Sequence, residues 1–263
     1  MSFYKYLCEF AVKYRPHAAF FCEDDKHAVN IGEPDVPLAT LLRNKKVMIS
    51  REHQSEAADH DWHRFKLIPS VLHNVTILQS INDSFYGGSV TVTLKDAILQ
   101  KSTPLRHQVE KEIEVAQEWK PIDLTYSDHN RQKLSVKIAL TAHHLKADLD
   151  MSISVVTYPG GSYVNPAERA MPLLNIAMQG VSLSREKMQP EHEAALKSAN
   201  CMEYIRKACK DNHDLTKSTM KSVQSCIDLL NERFVAVHIH GTPLRVGEVA
   251  ASDKQKARSQ AFF

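Results

Sequence analysis

An apolar run, Ala18 to Cys22, leads without a break into Glu23-Asp24-Asp25-Lys26. A short, uninterrupted apolar run of this kind suits a buried strand. Carboxylates cannot be buried unpaired along such a strand, because desolvating a charge is costly. They belong at its end, on the rim of a sheet, where solvent and ligands reach them. Any fold for this chain has to supply a buried strand with an acidic C-terminal end.

The rest of the chain alternates strands and helices. Phe3, Leu7, Phe10, Ala11 and Tyr14 have helical spacing, and Pro16 closes that helix. Strands are expected over Ala28–Ile31, broken by Gly32-Glu33-Pro34, over Lys46–Ser50, and over Leu67–Leu78 and Ser89–Leu94 around the turn signal Gly87-Gly88. Residues 104–118 are helical in composition and open on Pro104. A strand over Ile122–Tyr126 ends near Ser127-Asp128. Leu134, Ile138 and Leu145, with Ala142 between them, predict an amphipathic helix over 131–147. Met151–Val156 alternates and is β-branched, so a strand is expected there. After the loop Tyr158-Pro159-Gly160-Gly161-Ser162, Asn165 is a good N-cap, Pro166 suits the first helical position and Glu168 falls two residues later. That helix is expected to run to about Gly180. Two further helices are expected near 190–210 and 214–233, the second with Leu215, Val223, Ile227, Leu230 and Phe234 on one face. The tail from Val246 to Phe263 is polar and expected to be loose.

Composition narrows the function classes. At 43% hydrophobic and 24% charged residues the chain matches ordinary globular proteins. No run of 18 apolar residues exists, so no membrane partner is expected. The opening Met1-Ser2-Phe3-Tyr4-Lys5 lacks the layout of a signal peptide, so Asn74-Val75-Thr76 and Asn82-Asp83-Ser84 are read as chance glycosylation patterns. The five cysteines (Cys8, Cys22, Cys201, Cys209, Cys226) are scattered, with no C-x-x-C pair, which fits a reducing compartment. A net charge of +2 is low for a dedicated DNA binder. Basic residues still cluster locally at Arg43, Lys45 and Lys46, at Arg64 and Lys66, and at Arg131, Lys133 and Lys137.

The acidic strand ends carry the chemistry. Asp24 and Asp25 end one strand, Asp128 ends a later one, and Glu168 sits on the first turn of the helix after the next. Three carboxylates converging in this order would make a pocket of hard oxygen ligands suited to magnesium or manganese. Each residue also has a plain reading, Asp as a turn former and Glu168 as half of a capping box. His238-Ile239-His240 and His143-His144 allow a transition-metal site, but no third ligand is evident. Gly161-Ser162 lacks the G-x-S-x-G elbow of a hydrolase.

The stretch Cys22-Glu23-Asp24-Asp25-Lys26, followed by Ile31-Gly32-Glu33-Pro34, resembles the first catalytic block of a group of DDE transposases. That group includes bacterial insertion-sequence transposases and transposon-derived reading frames of invertebrate genomes. Asp59-His60-Asp61-Trp62 with Ile68-Pro69-Ser70 is similar to another block. Ser84-Phe85-Tyr86-Gly87-Gly88, Lys95-Asp96-Ala97 and Pro104-Leu105-Arg106-His107 are similar to family segments of unassigned role. Asn165-Pro166-Ala167-Glu168-Arg169 resembles the third catalytic block. The resemblance spans residues 5–245, and the shared order of the motifs makes it specific. It implies an α/β fold, an RNase H-like mixed sheet flanked by helices (1–185), with a helical C-terminal region (186–245) and a loose tail (246–263). It implies metal-dependent DNA strand cleavage and transfer. Asp24, Asp128 and Glu168 would be catalytic ligands of Mg2+ or Mn2+, assisted by Asp25. Lys26, Arg131, Lys133 and Lys137 would face DNA. No small-molecule cofactor is implied. The other implications are a homo-oligomer and a nuclear location, or a cytoplasmic one for an inactive chain.

Two departures sit beside the expected ligands. The second block of the family reads Tyr-Thr-Asp-Gly-Gly-Pro-Asp-His, and here it is Tyr126-Ser127-Asp128-His129-Asn130, without the glycines that permit unusual backbone conformations. Asp123 is the fallback ligand. Pro172 lies where its ring would clash with the carbonyl of Glu168 in a continuous helix, which predicts a kink or an early break. Both suit a second class of function, a catalytically inactive transposon-derived protein that binds nucleic acid or another partner.

Overall fold

The computed structural model describes residues 3–40, 64–116, 118–128, 133–158, 162–199 and 201–249. In chain order the elements are α1 (Phe3–Lys13), β1 (Ala18–Asp25), β2 (Val29–Asn30), β3 (Leu38–Ala39), β4 (Lys66–Val75), β5 (Gly88–Asp96), α2 (Pro104–Val115), β6 (Ile122–Ser127), α3 (Leu134–Lys146), β7 (Met151–Val156), 3-10 turns at Ser162–Val164 and Pro166–Arg169, α4 (Ala170–Ala177), β8 (Ser182–Leu183), α5 (Pro190–Lys197), α6 (Met202–Asp211), α7 (His213–Val235), β9 (His238–Ile239), β10 (Thr242–Pro243) and β11 (Arg245–Gly247). The expected strand at Lys46–Ser50 and the Asp59-His60-Asp61-Trp62 block lie outside the described residues, as do Arg43, Lys45 and Arg131.

The protein is an α/β fold built on one mixed sheet ordered β11-β5-β4-β1-β6-β7, with β2 also on β4. β1 pairs antiparallel with β4 and parallel with β6, so it lies inside the sheet. β4 and β5 form an antiparallel pair, and β6 and β7 a parallel one joined through α3. Gly88 starts β5 at φ 135°, and a Cβ there would run into the backbone of β4 at Asn74.

Alternation along the strands separates two buried faces of different chemistry. Phe20 and Cys22 of β1, Val71 and Val75 of β4, Val90, Val92 and Leu94 of β5, and Leu124 and Tyr126 of β6 join one apolar cluster. Leu7 and Ala11 of α1, Leu174 of α4, and Val223, Leu230 and Phe234 of α7 belong to that same cluster. Tyr4 of α1 packs its ring 4.9 Å from that of Tyr126.

The opposite face is polar yet buried under α2 and α3. Lys95 and Lys111 are both 0% exposed. Lys111 Nζ donates to Asp123 Oδ1 (2.9 Å) and to Thr125 Oγ1 (2.8 Å), while His143 Nε2 of α3 lies 3.2 Å from Asp123 Oδ2. Burial alone would raise the Asp123 carboxyl. The charges and hydrogen bonds of Lys111 and His143 outweigh it and hold Asp123 well below the usual carboxylate range.

Several expectations require correction. α3 buries Val136, Ala139, Ala142 and His143, whereas Leu134 and Leu145 are 71% and 63% exposed. Small residues and the His143–Asp123 bond bring α3 against the polar face, which rotates the leucine stripe outward. Asp123 is locked inside this network and is not the fallback ligand. The region expected as one helix over 190–210 divides into α5 and α6. Val246 is not part of a loose tail but pairs with Val92 in β11. The break expected from Pro172 is present: the chain passes Glu168 in a 3-10 turn and becomes α-helical only at Ala170, which puts Pro172 in the first turn of α4.

Removing one partner of a buried ion pair leaves the other charge uncompensated, at a cost of about 3–5 kcal/mol. Asp123→Ala should lower the unfolding free energy in urea by about that amount. A joint Lys111→Met and Asp123→Leu exchange should recover most of the loss. Equal losses in the single and double variants would show that the pair is not what holds α2 to β6.

Candidate functional site

The last residues of β1 diverge by alternation. Asp24 follows Phe20 and Cys22 onto the face covered by the Pro166–Arg169 turn, and Asp25 turns toward α2. The parallel register Cys22↔Tyr126 and Glu23↔Ser127, carried one step on, sets Asp128 beside Asp24 at the same rim. Asp24 is 8% exposed, Glu168 half-buried and Asp128 exposed.

Asn165 delivers Glu168 to this rim. Its side chain caps the 3-10 turn by accepting from Ala167 N at 3.1 Å, and its Nδ2 donates to the Glu23 carbonyl at 3.2 Å. One buried amide thus ties the turn bearing Glu168 to the strand bearing Asp24. Arg169 lies over the Tyr86 ring, 4.2 Å from its centroid. The segment Ser84-Phe85-Tyr86-Gly87-Gly88 therefore braces the same turn, with Phe85 buried against Phe20.

The Asp24 carboxyl is pushed up to about 8. Burial is the largest cause, followed by its hydrogen bond with Glu168 and the negative charges of Glu168, Asp128 and Asp25. The Asp24 and Glu168 carboxyl groups are hydrogen-bonded to one another, and Asp128 lies close enough for its charge to act on Asp24. Among the described residues, no three His, Cys, Asp or Glu side chains are already arranged around one point as a metal site. Burial also lowers the Lys26 ammonium, partly offset by Glu168, so Lys26 borders the cluster.

Asp25 is not brought into this cluster. Its Oδ2 accepts from Ser102 Oγ at 2.5 Å and lies 3.3 Å from His107 Nε2. Burial would raise its carboxyl, but His107, Lys95 and Ser102 together hold it far below the usual range. Among the described residues, neither histidine pair belongs to a group of three metal-ligating side chains. His238 opens the two-residue strand that Ile239 ends and His240 occupies the turn at φ 49°, while His143 is bonded to Asp123. Lys133 and Lys137 are exposed at the start of α3, a short way along the chain from Asp128.

Two functional features escaped the sequence reading. Asn165 was legible as a helix cap but not as the tie to Glu23, which requires knowing that the turn folds over β1. The partners of Asp25 lie far along the chain from it, and only strand alternation signalled that Asp25 would part from Asp24.

The chain matches no protein-family model, no curated protein sequence and no solved structure.

Asn165→Ala should cost about 1–2 kcal/mol of stability, as for a lost N-cap. It should also release Glu168, read as a fall in the Asp24 carboxyl value by NMR titration. An unchanged Asp24 titration would mean that Asn165 does not set the pair. Burial lowers the His73 ring to about 4, against hydrogen bonds to the Gly87 and Pro166 carbonyls that favour its charged form. Its folded value lies below the ordinary 6.5, so its contribution is complete above 6.5 and is lost as pH falls toward 4. The decline of stability across that window should be shallower in His73→Gln. An identical slope would exclude His73 as its source.

Proposed function

We propose that this chain has an RNase H-like core of DDE transposase ancestry, in which Asp24, Asp128 and Glu168 would hold Mg2+ or Mn2+ for phosphodiester cleavage and strand transfer in DNA. The observation that carries this reading is the meeting of three acids from distant parts of the chain at one sheet rim. Burial, the hydrogen bond with Glu168 and the like charges there together raise the Asp24 carboxyl to about 8. Such a cluster is unfavourable by itself and fits a hard divalent cation, which accepts oxygen ligands. The α/β mixed sheet, with its acidic inner strand and flanking helices, supports this reading.

When bound, the metal supplies neutralisation of charge on the phosphoryl oxygens and activation of water or a 3′-hydroxyl. The protein's own residues do the rest. Asn165 holds Glu168 against β1, and the parallel register of β1 with β6 holds Asp128 beside Asp24. Lys26 borders the acids from the end of β1, and Lys133 and Lys137 offer charges for the DNA backbone near Asp128. A nuclear location and a multimer acting on paired DNA ends belong to the same reading.

A second reading keeps the fold as a non-catalytic transposon-derived protein. It is favoured by the exposed Asp128 and by the sequence His129-Asn130 after it, which lacks the glycines of the family block.

Manganese titrated by calorimetry into the purified protein, beside Asp24→Asn and Glu168→Gln, separates the two readings. The enzyme reading expects binding by the parent that each substitution weakens at least tenfold. No binding with or without DNA would leave the non-catalytic reading.

A further inference from the structure

The segments Lys95-Asp96-Ala97 and Pro104-Leu105-Arg106-His107 have no role in the metal reading, yet they meet behind the site. Lys95 Nζ, fully buried, contacts Glu110 Oε2 at 2.9 Å, Ser70 Oγ at 3.0 Å and His107 Nδ1 at 3.3 Å. His107 Nε2 lies 2.7 Å from Ser102 Oγ, and Ser102 Oγ donates to Asp25 Oδ2 at 2.5 Å. The hydroxyl has one proton and gives it to the carboxylate. The ring must then donate from Nε2 to Ser102 Oγ, leaving Nδ1 to accept from Lys95. The result is a directed chain of donors, Lys95 to His107 to Ser102 to Asp25.

Asp25 is the residue after Asp24. Holding its side chain on the α2 face leaves little freedom in the last residues of β1, because successive side chains are fixed to opposite faces. Lys26 N, bonded to the Pro69 carbonyl at 2.8 Å, anchors the next position. Resting on the metal reading above, we propose that Ser102 and His107 are positioning residues that act through Asp25 to keep Asp24 turned toward Glu168 and Asp128. They touch neither the metal nor the DNA. Two of the three segments whose role the resemblance leaves open supply Lys95 and His107, Ser102 lies between them, and Lys95 fixes the ring orientation of His107.

The test compares manganese affinity with stability. Ser102→Ala removes the donor to Asp25 while changing little volume, and Ser102→Thr restores a hydroxyl. Thr91→Val serves as the control: it removes a 2.9 Å bond to Glu114 at the same sheet–α2 interface, remote from Asp25. Loss of an outer partner of a metal site typically weakens binding about 10–100-fold. Ser102→Ala and His107→Leu should raise the manganese Kd by about that factor, and Ser102→Thr should return it to within about twofold of the parent. Thr91→Val should lower the thermal midpoint of the metal-free protein as much as Ser102→Ala does, with no change in Kd. Parent-like manganese binding by Ser102→Ala overturns the clamp, as does equal weakening in Thr91→Val, and either leaves the metal reading intact. Absence of binding by the parent chain, with and without DNA, overturns the metal reading and the clamp with it.

Discussion

Successive side chains of a strand must point to opposite faces, and in β1 that constraint separates Asp24 from Asp25. One carboxyl goes to the face where the Pro166–Arg169 turn brings Glu168. The other goes to the face covered by α2, where Ser102 and His107 receive it. Neither placement works alone. Asp24 among like charges is costly, and its direction depends on the strand end being held from behind. The candidate site and the buried polar layer are two sides of one strand terminus.

The polar layer is an expensive way to attach helices to a sheet. Fully buried lysines are rare, and each here has an acidic partner at 2.9 Å. Replacing such pairs by apolar residues is often neutral or stabilising, so their retention is weak evidence of a need for stability. What they do supply is direction. Lys95 orients His107, and Lys111 with His143 fixes Asp123 and the position of α3. The other face, with α1, α4 and α7 on the aromatic and aliphatic side chains of β1, β4, β5 and β6, carries the hydrophobic stabilisation.

Much of this was legible in the sequence, for identifiable reasons. β1, β5, β6 and β7 are visible as apolar or alternating runs, and the acids at the ends of β1 and β6 could be read from where those runs stop. Asn165 and Pro166 mark the turn before Glu168. The errors arose where tertiary partners override local pattern. The leucine stripe of α3 has helical spacing but faces outward, because His143 and the small residues meet a polar sheet face. Val246 reads as tail by composition and is a strand by pairing with β5. Pro172, by contrast, signalled correctly that no continuous helix runs through Glu168: a 3-10 turn carries Glu168 and α4 starts at Ala170. The alternation Val90-Thr91-Val92-Thr93-Leu94-Lys95 resembles a strand with one solvated face. Only α2, which brings Glu110 and Glu114 to that face, turns it into a buried layer.

In the proposed function, Asp24, Asp128 and Glu168, which share one sheet rim, would close on a divalent cation when it binds. Anomalous diffraction from a crystal grown with manganese locates the ion directly. A single anomalous peak bridging oxygens of Asp24, Asp128 and Glu168, at roughly 2.0–2.3 Å from each, is the result expected for a hard cation in an oxygen site. A crystal saturated with manganese that shows no peak between these carboxylates, or one only at other surface acids, would contradict it.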